Sequence, residues 1–173
     1  FKIGRRKIGG AEPCYIIAEI GSNHNQDFEL ACTHIEAAAE AGSDAVKFQT
    51  FKASAHYSRK SPGFSYLDKK DTHELIKSLE LNRTWQKDLM IKANECGVDF
   101  FSSPCDVDAI NSLVEIDVPV FKVASFDLPD TDLIREMALH KKPIILSTGM
   151  ASWQDIQLSI DAARNAGNYD IAL

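Results

Sequence analysis

Short apolar runs alternate with stretches of helical spacing along this 173-residue chain, and no feature constrains its fold more. Residues 15–18 read as a buried strand ending near Glu19. Phe28, Ala31, Ile35, Ala38 and Ala39 then recur at helical spacing, with Asp27 as cap and Gly42 as stop. Further strands are expected at 44–50, 98–103, 119–124 and 143–148, and 169–173 starts another. Between them lie helices at 72–79, 84–96 and 131–140. Asp106 opens another helix through Val107, Ile110, Leu113 and Val114. Ser152 with Asp155 forms a capping box for a helix that stops at Gly167. Strand and helix in regular alternation imply β-α units and a parallel sheet. Near-continuous apolar strands fit a sheet buried on both faces. An open doubly wound sheet and a (β/α)8 barrel both satisfy this pattern. The missing G-x-G-x-x-G fingerprint lowers the first.

Composition excludes several classes. Lys and Arg number 19 against 25 Asp and Glu, a net charge of −6, which argues against nucleic acid as partner. No run approaches the ~18 apolar residues of a membrane span. No charged-then-apolar leader opens the sequence. Cys14, Cys32, Cys96 and Cys105 form no metal-finger or disulfide spacing, so reduced thiols in a cytoplasmic protein are expected.

The polar residues gather at the C-terminal ends of the expected strands, where parallel α/β folds place their sites. The first strand ends in Glu19, followed by Ser22, Asn23, His24 and Asn25. The second carries Lys47 and Gln49, two apart and so on one face. The others end in Ser102 and Ser103, in Lys122 with Ser125 and Asp127 beyond it, and in Ser147 and Thr148. A lysine inside an apolar strand needs a partner. Glu19 or Asp44 could supply it as an ion pair. Alternatively, Lys47 and Lys122 converge on one small anion that carries both phosphate and carboxylate, with serine hydroxyls as orienting donors. Glu19 and His24 are candidates for metal ligand or base. Cys105 reads as an inert small residue, and Trp85 and Trp153 as packing. The insertion 51–70 carries Lys52, Arg59, Lys60, Lys69 and Lys70 against Asp68 alone. It reads either as a basic lid over the site or as a solvated loop.

The stretches IAEIGSNHN (17–25), VKFQT (46–50), FSSP (101–104), FKVASFD (121–127) and ILSTGM (145–150) resemble, in order, those of the sialic acid synthase family. That group includes N-acetylneuraminate synthase and its pseudaminic acid, legionaminic acid and spore-coat polysaccharide relatives. The resemblance implies a (β/α)8 TIM barrel, of which this chain supplies the first five to six β/α units. It also implies condensation of phosphoenolpyruvate with an N-acylated amino sugar to give a nonulosonic acid, with release of phosphate. Phosphoenolpyruvate then falls to Lys47, Gln49, Ser103, Lys122, Ser125 and Ser147, and the sugar to Asp127 and Asn23. Glu19 is the catalytic candidate, near metal and sugar. Asp127 stands where sialic acid synthases usually carry glutamate, and Gln26 where glycine is common. A divalent metal, Mn2+ or Mg2+, is implied, with its protein ligands beyond residue 173. So is a C-terminal antifreeze-like domain that reaches into a partner's site in a homodimer. On this reading 1–173 is the N-terminal portion of a barrel domain and is inactive alone. A Schiff-base aldolase and a non-catalytic sugar-phosphate-binding barrel remain the alternatives.

Overall fold

The computed structural model describes residues 1–62 and 71–173. Its elements follow the alternation read from the sequence. A hairpin of β1 (Lys2–Ile3) and β2 (Arg6–Lys7) precedes β3 (Ile17–Gly21), α1 (Phe28–Glu40) and β4 (Ala45–Thr50). Then come α2 (Ala53–His56), α3 (Thr72–Lys77), a short 3-10 turn (Arg83–Trp85), α4 (Gln86–Glu95) and β5 (Asp99–Pro104). The chain continues through α5 (Val107–Glu115), β6 (Phe121–Val123), α6 (Thr131–Leu139), β7 (Ile144–Leu146), α7 (Trp153–Asn165) and β8 (Ile171–Ala172).

The strands form two parallel three-stranded ladders, β3-β4-β5 and β6-β7-β8, and β5 lies beside β6 where they meet. Neighbours in space are therefore neighbours in sequence, as expected for a singly wound β/α layer. The fold is α/β with parallel sheets.

In β4 and β5 the two-residue period sorts the side chains by face. Val46, Phe48 and Thr50 share one face with Phe100 and Ser102; Lys47 and Gln49 share the other with their registered partners Phe101 and Ser103. The first face packs on the helices. Phe48, Phe100, Leu89, Ala93, Ile35 and Ala31 are all buried there, and Thr50 bonds Ser102 and Gln86 within that layer. Burying Phe48 or Phe100 is worth roughly 2–3 kcal/mol each. The second face carries the polar residues.

Helix ends follow the expected chemistry. Asp27, Asp106, Asp130 and Ser152 each accept a backbone N–H from the first turn, and Asp155 completes the capping box with Ser152. None of the described helices is long and apolar enough to cross a membrane.

Two features depart from the expected elements. The first core strand runs from Ile17 to Gly21, later than 15–18; Glu19 pairs with Lys47 in regular register, and a bulge at Ile20 then sets Gly21 against Phe48. Glu19 is thus inside the strand. The N-terminal hairpin was not expected. It buries Ile3 and sets Gly4 against Asp99 and Pro119, under the N-terminal ends of β5 and β6. Part of the basic insertion forms α2, while Asp68, Lys69 and Lys70 lie outside the described residues.

Candidate functional site

Two lysines rise from the polar face of the sheet, one from each ladder. Lys47 is buried and forms an ion pair with Glu19, its registered neighbour on β3. Its Nζ also donates to Ser103 Oγ at 3.4 Å. Asp44, the other carboxylate considered for this role, is committed elsewhere. It takes Arg6 and the backbone N–H of Ile16 at the opposite end of the strands.

Lys122 sits on β6, half-buried. Its Nζ donates to Val123 O at 2.7 Å and to Ser147 Oγ. Among the described residues it forms no ion pair. Burial, and then the positive charge of Lys47, push its pKa down to about 8. The charge of Lys47 thus reaches the Lys122 amine and disfavours its charged form.

Gly21 allows Glu19 to reach this position. Its φ is +57°, and a Cβ there would stand 2.9 Å from Glu19 Oε1. Only glycine gives both the left-handed turn and room for the carboxylate. Ser22 follows and hydrogen-bonds Gln49 Oε1 at 3.5 Å. Gln49 and Ser103 continue the polar face beyond Lys47. Across the second ladder, Ser125 Oγ accepts the Gly149 N–H at 3.3 Å, just past Ser147.

Gln49, Ser103 and Asp127 line a cavity of about 230 Å3, with Phe51, Tyr57, Phe126 and Leu79 as its apolar wall. A larger cavity of about 680 Å3 lies at the N-terminal ends of the strands, lined by Arg5, Arg6 and Asp99. It holds none of the candidate residues. The C-terminal cavity is the one built from strand-end chemistry.

Asp127 is buried, and burial raises its pKa, while His56 opposes that shift. His56 Nε2 stands 3.5 Å from Asp127 Oδ1. Cys105 Sγ donates to Asp127 Oδ2 at 3.4 Å. Burial and the Asp127 carboxylate hold the Cys105 thiol far above its ordinary pKa, which fits its reading as inert toward electrophiles. His56, Cys105 and Asp127 form a group that could hold a metal ion.

The fold thus brings Glu19, Lys47, Gln49, Ser103, Lys122, Ser125, Ser147 and Asp127 to the C-terminal ends of the strands. Asn23 stays exposed on the loop after β3, its carbonyl facing His34, and does not line the cavity. His24 turns away. It is fully buried against Phe48 on the helix-facing side, and its Nδ1 accepts the Gln26 N–H. Gln26 adopts a φ of +58°, the conformation that glycine would take more readily.

Sequence reading passed over His56, Tyr57 and Phe126. His56 packs edge-on to both Tyr57 and Phe126, whose rings lie parallel 6.4 Å apart. The available signal was position. His56 follows the end of β4 and Phe126 the end of β6, so both fall at the site-bearing end.

A family model described as the NeuB family matches residues 34–173. The pseudaminic acid synthase of Helicobacter pylori is 36% identical over 94% of this chain and 49% of its own length. The N,N'-diacetyllegionaminic acid synthase of Legionella pneumophila is 35% identical over 92% of this chain and 48% of its own. The N-acetylneuraminic acid (sialic acid) synthetase of Leptospira borgpetersenii, solved with citrate, superposes with a TM-score of 0.89 at 30% identity. That match covers 99% of this chain and 56% of that one. The chain spans about half the length of the curated relatives it matches.

Proposed function

The chain belongs to the NeuB family, and from that premise we propose that it supplies the donor-binding half of a phosphoenolpyruvate-dependent nonulosonic acid synthase built on a (β/α)8 barrel. One observation carries the reading: Lys47 and Lys122 stand within apolar strands of separate ladders, and the charge of Lys47 reaches the Lys122 amine. Two ammonium groups in a low-dielectric cleft match a ligand with two anionic groups. Phosphoenolpyruvate has both, a phosphate and a carboxylate.

In this proposal Lys47 and Lys122 neutralise the donor's two charges, and Gln49, Ser103, Ser125 and Ser147 fix its orientation by hydrogen bonds. Glu19 already holds Lys47. An incoming donor anion exchanges with that carboxylate, which frees Glu19 at the cleft mouth to accept or return a proton. Asp127, at the cavity with the aromatic wall, takes a hydroxyl of the N-acylated amino sugar. Donor C3 bonds to the open-chain aldehyde carbon. Water then adds at donor C2, and phosphate leaves.

The divalent metal implied by the family resemblance, Mn2+ or Mg2+, supplies Lewis-acid polarisation of the aldehyde when bound. The converging donor set of this chain includes a thiol and an imidazole, which does not fit those oxygen-preferring ions. In this proposal the ligands for Mn2+ or Mg2+, the remaining strands, the C-terminal domain and the homodimer contact all come from outside residues 1–173.

A second reading, a Schiff-base aldolase, draws on the lowered pKa of Lys122, which leaves part of its amine neutral near pH 7. One experiment separates the two. The complete protein is given phosphoenolpyruvate, N-acetylmannosamine and Mn2+, and phosphate release is followed beside borohydride trapping with pyruvate. Phosphate released in step with a nonulosonic acid supports the synthase. A pyruvate adduct on Lys122 or Lys47, with no phosphate released, overturns it.

A further inference from the structure

Asp127 shares its cavity wall with two side chains that the synthase reading does not use, His56 and Cys105. The three come from three different connections: the end of α2, the residue after β5, and the turn after β6. One ligand atom from each lies within 4.8 Å of the others. His56 Nε2 is 3.5 Å from Asp127 Oδ1, and Cys105 Sγ is 3.4 Å from Asp127 Oδ2. A tetrahedral Zn2+ with bonds of about 2.0–2.3 Å spaces its ligand atoms roughly 3.3–3.5 Å apart. His56 and Cys105 each stand at about that distance from the Asp127 carboxylate, on Oδ1 and Oδ2 respectively, so turning the carboxylate to share one oxygen and drawing the imidazole and thiol together from within 4.8 Å closes the set.

The surroundings favour a cation. A carboxylic acid and a thiol face each other in a largely buried setting, and burial disfavours the ionised form of both. The nearby lysines are engaged elsewhere, Lys47 by Glu19 and Lys122 by Ser147 and Val123 O. A divalent ion at the centroid would stabilise thiolate and carboxylate together, and the neutral imidazole would complete the set.

We propose that His56, Cys105 and Asp127 form a three-ligand site for a borderline divalent cation of the Zn2+ or Co2+ class, with its fourth position facing the cavity. Thiolate and imidazole select such ions over Mg2+, Mn2+ and Ca2+. Three protein ligands with one open position is the arrangement of a site that also receives a water or a substrate oxygen. The proposal shares Asp127 with the synthase reading, but its test reads metal binding alone, so its failure leaves that reading standing.

The test uses the complete protein, stripped with chelator and titrated with Co2+. The readout is the sulfur-to-cobalt charge-transfer absorption, with Zn2+ affinity measured by competition against a colorimetric chelator. The expected result is one such band, saturating at one equivalent, present in Cys14→Ser and absent in Cys105→Ser. His56→Ala should weaken Zn2+ binding by at least about tenfold, because even second-shell losses cost that much. It also serves as the second variant should Cys105→Ser not fold. No band in the wild type, a band that persists in Cys105→Ser, or unchanged Zn2+ affinity in His56→Ala each overturns the site.

Discussion

Lys47 in β4 and Lys122 in β6 occupy comparable places, each inside an apolar strand of a parallel ladder with its amine toward the C-terminal end. Their partners differ. Lys47 lies against the Glu19 carboxylate, whereas Lys122 meets a hydroxyl and a backbone carbonyl. Burial and the charge of Lys47 lower the Lys122 pKa to about 8. One ladder thus holds a cation already matched by an anion, and the other a cation that gains most from an anionic ligand. A site that must grip and release a charged donor benefits from this inequality, since a fully matched pair would have no reason to bind.

The largest expected effect comes from removing the unmatched cation. Lys122→Met should cost about 2–5 kcal/mol of donor affinity, roughly 30-fold to several thousand-fold, measured by calorimetry with phosphoenolpyruvate. Unchanged affinity would take Lys122 out of the cradle. Glu19→Gln tests the other ladder. It should lower kcat by roughly 100-fold without raising the donor KM, because it removes the carboxylate that competes for Lys47. A rise in donor KM equal to the fall in kcat would mean that Glu19 serves only to orient Lys47. Asp127→Asn should raise the sugar KM by roughly tenfold and leave the donor KM unchanged, as for one lost hydrogen bond to a charged group. The smallest effect concerns the bulge. Gly21→Ala should lower stability by about 1–2 kcal/mol in thermal unfolding, from the left-handed backbone and the displaced Glu19 carboxylate.

The parallel α/β layer was legible because strands buried on both faces leave unbroken apolar runs, and the polar exceptions, Lys47 and Lys122, stood out against them. Caps at Asp27, Asp106 and Ser152 were legible because capping is local. Pairing was not. Sequence left both Glu19 and Asp44 open as partners for Lys47, and the strand register, which sets Ile17, Ala18 and Glu19 against Ala45, Val46 and Lys47, decided between them. The N-terminal hairpin has two-residue strands, and Ile3 is its only core contribution. That leaves too short a pattern to read. His56 sits in a polar insertion without periodicity, and its approach to Asp127 depends on how α2 folds back over the strand ends.

The inequality of the two lysines also has a sign in pH. Native Lys122 loses its proton near pH 8, whereas an unfolded lysine keeps it to about 10.5. Between these values the unfolded chain binds more protons, so this group makes stability rise with pH. Donor affinity should move the opposite way, falling as pH passes through about 8, because the anion needs the charged amine. The most direct measurement is a pH titration of the Lys122 amine by 15N NMR, with the signal assigned by its loss in Lys122→Met, run with and without phosphoenolpyruvate. The expected midpoint is about 8 alone and clearly higher with donor bound. An ordinary midpoint near 10.5, or one that donor does not move, would contradict the account.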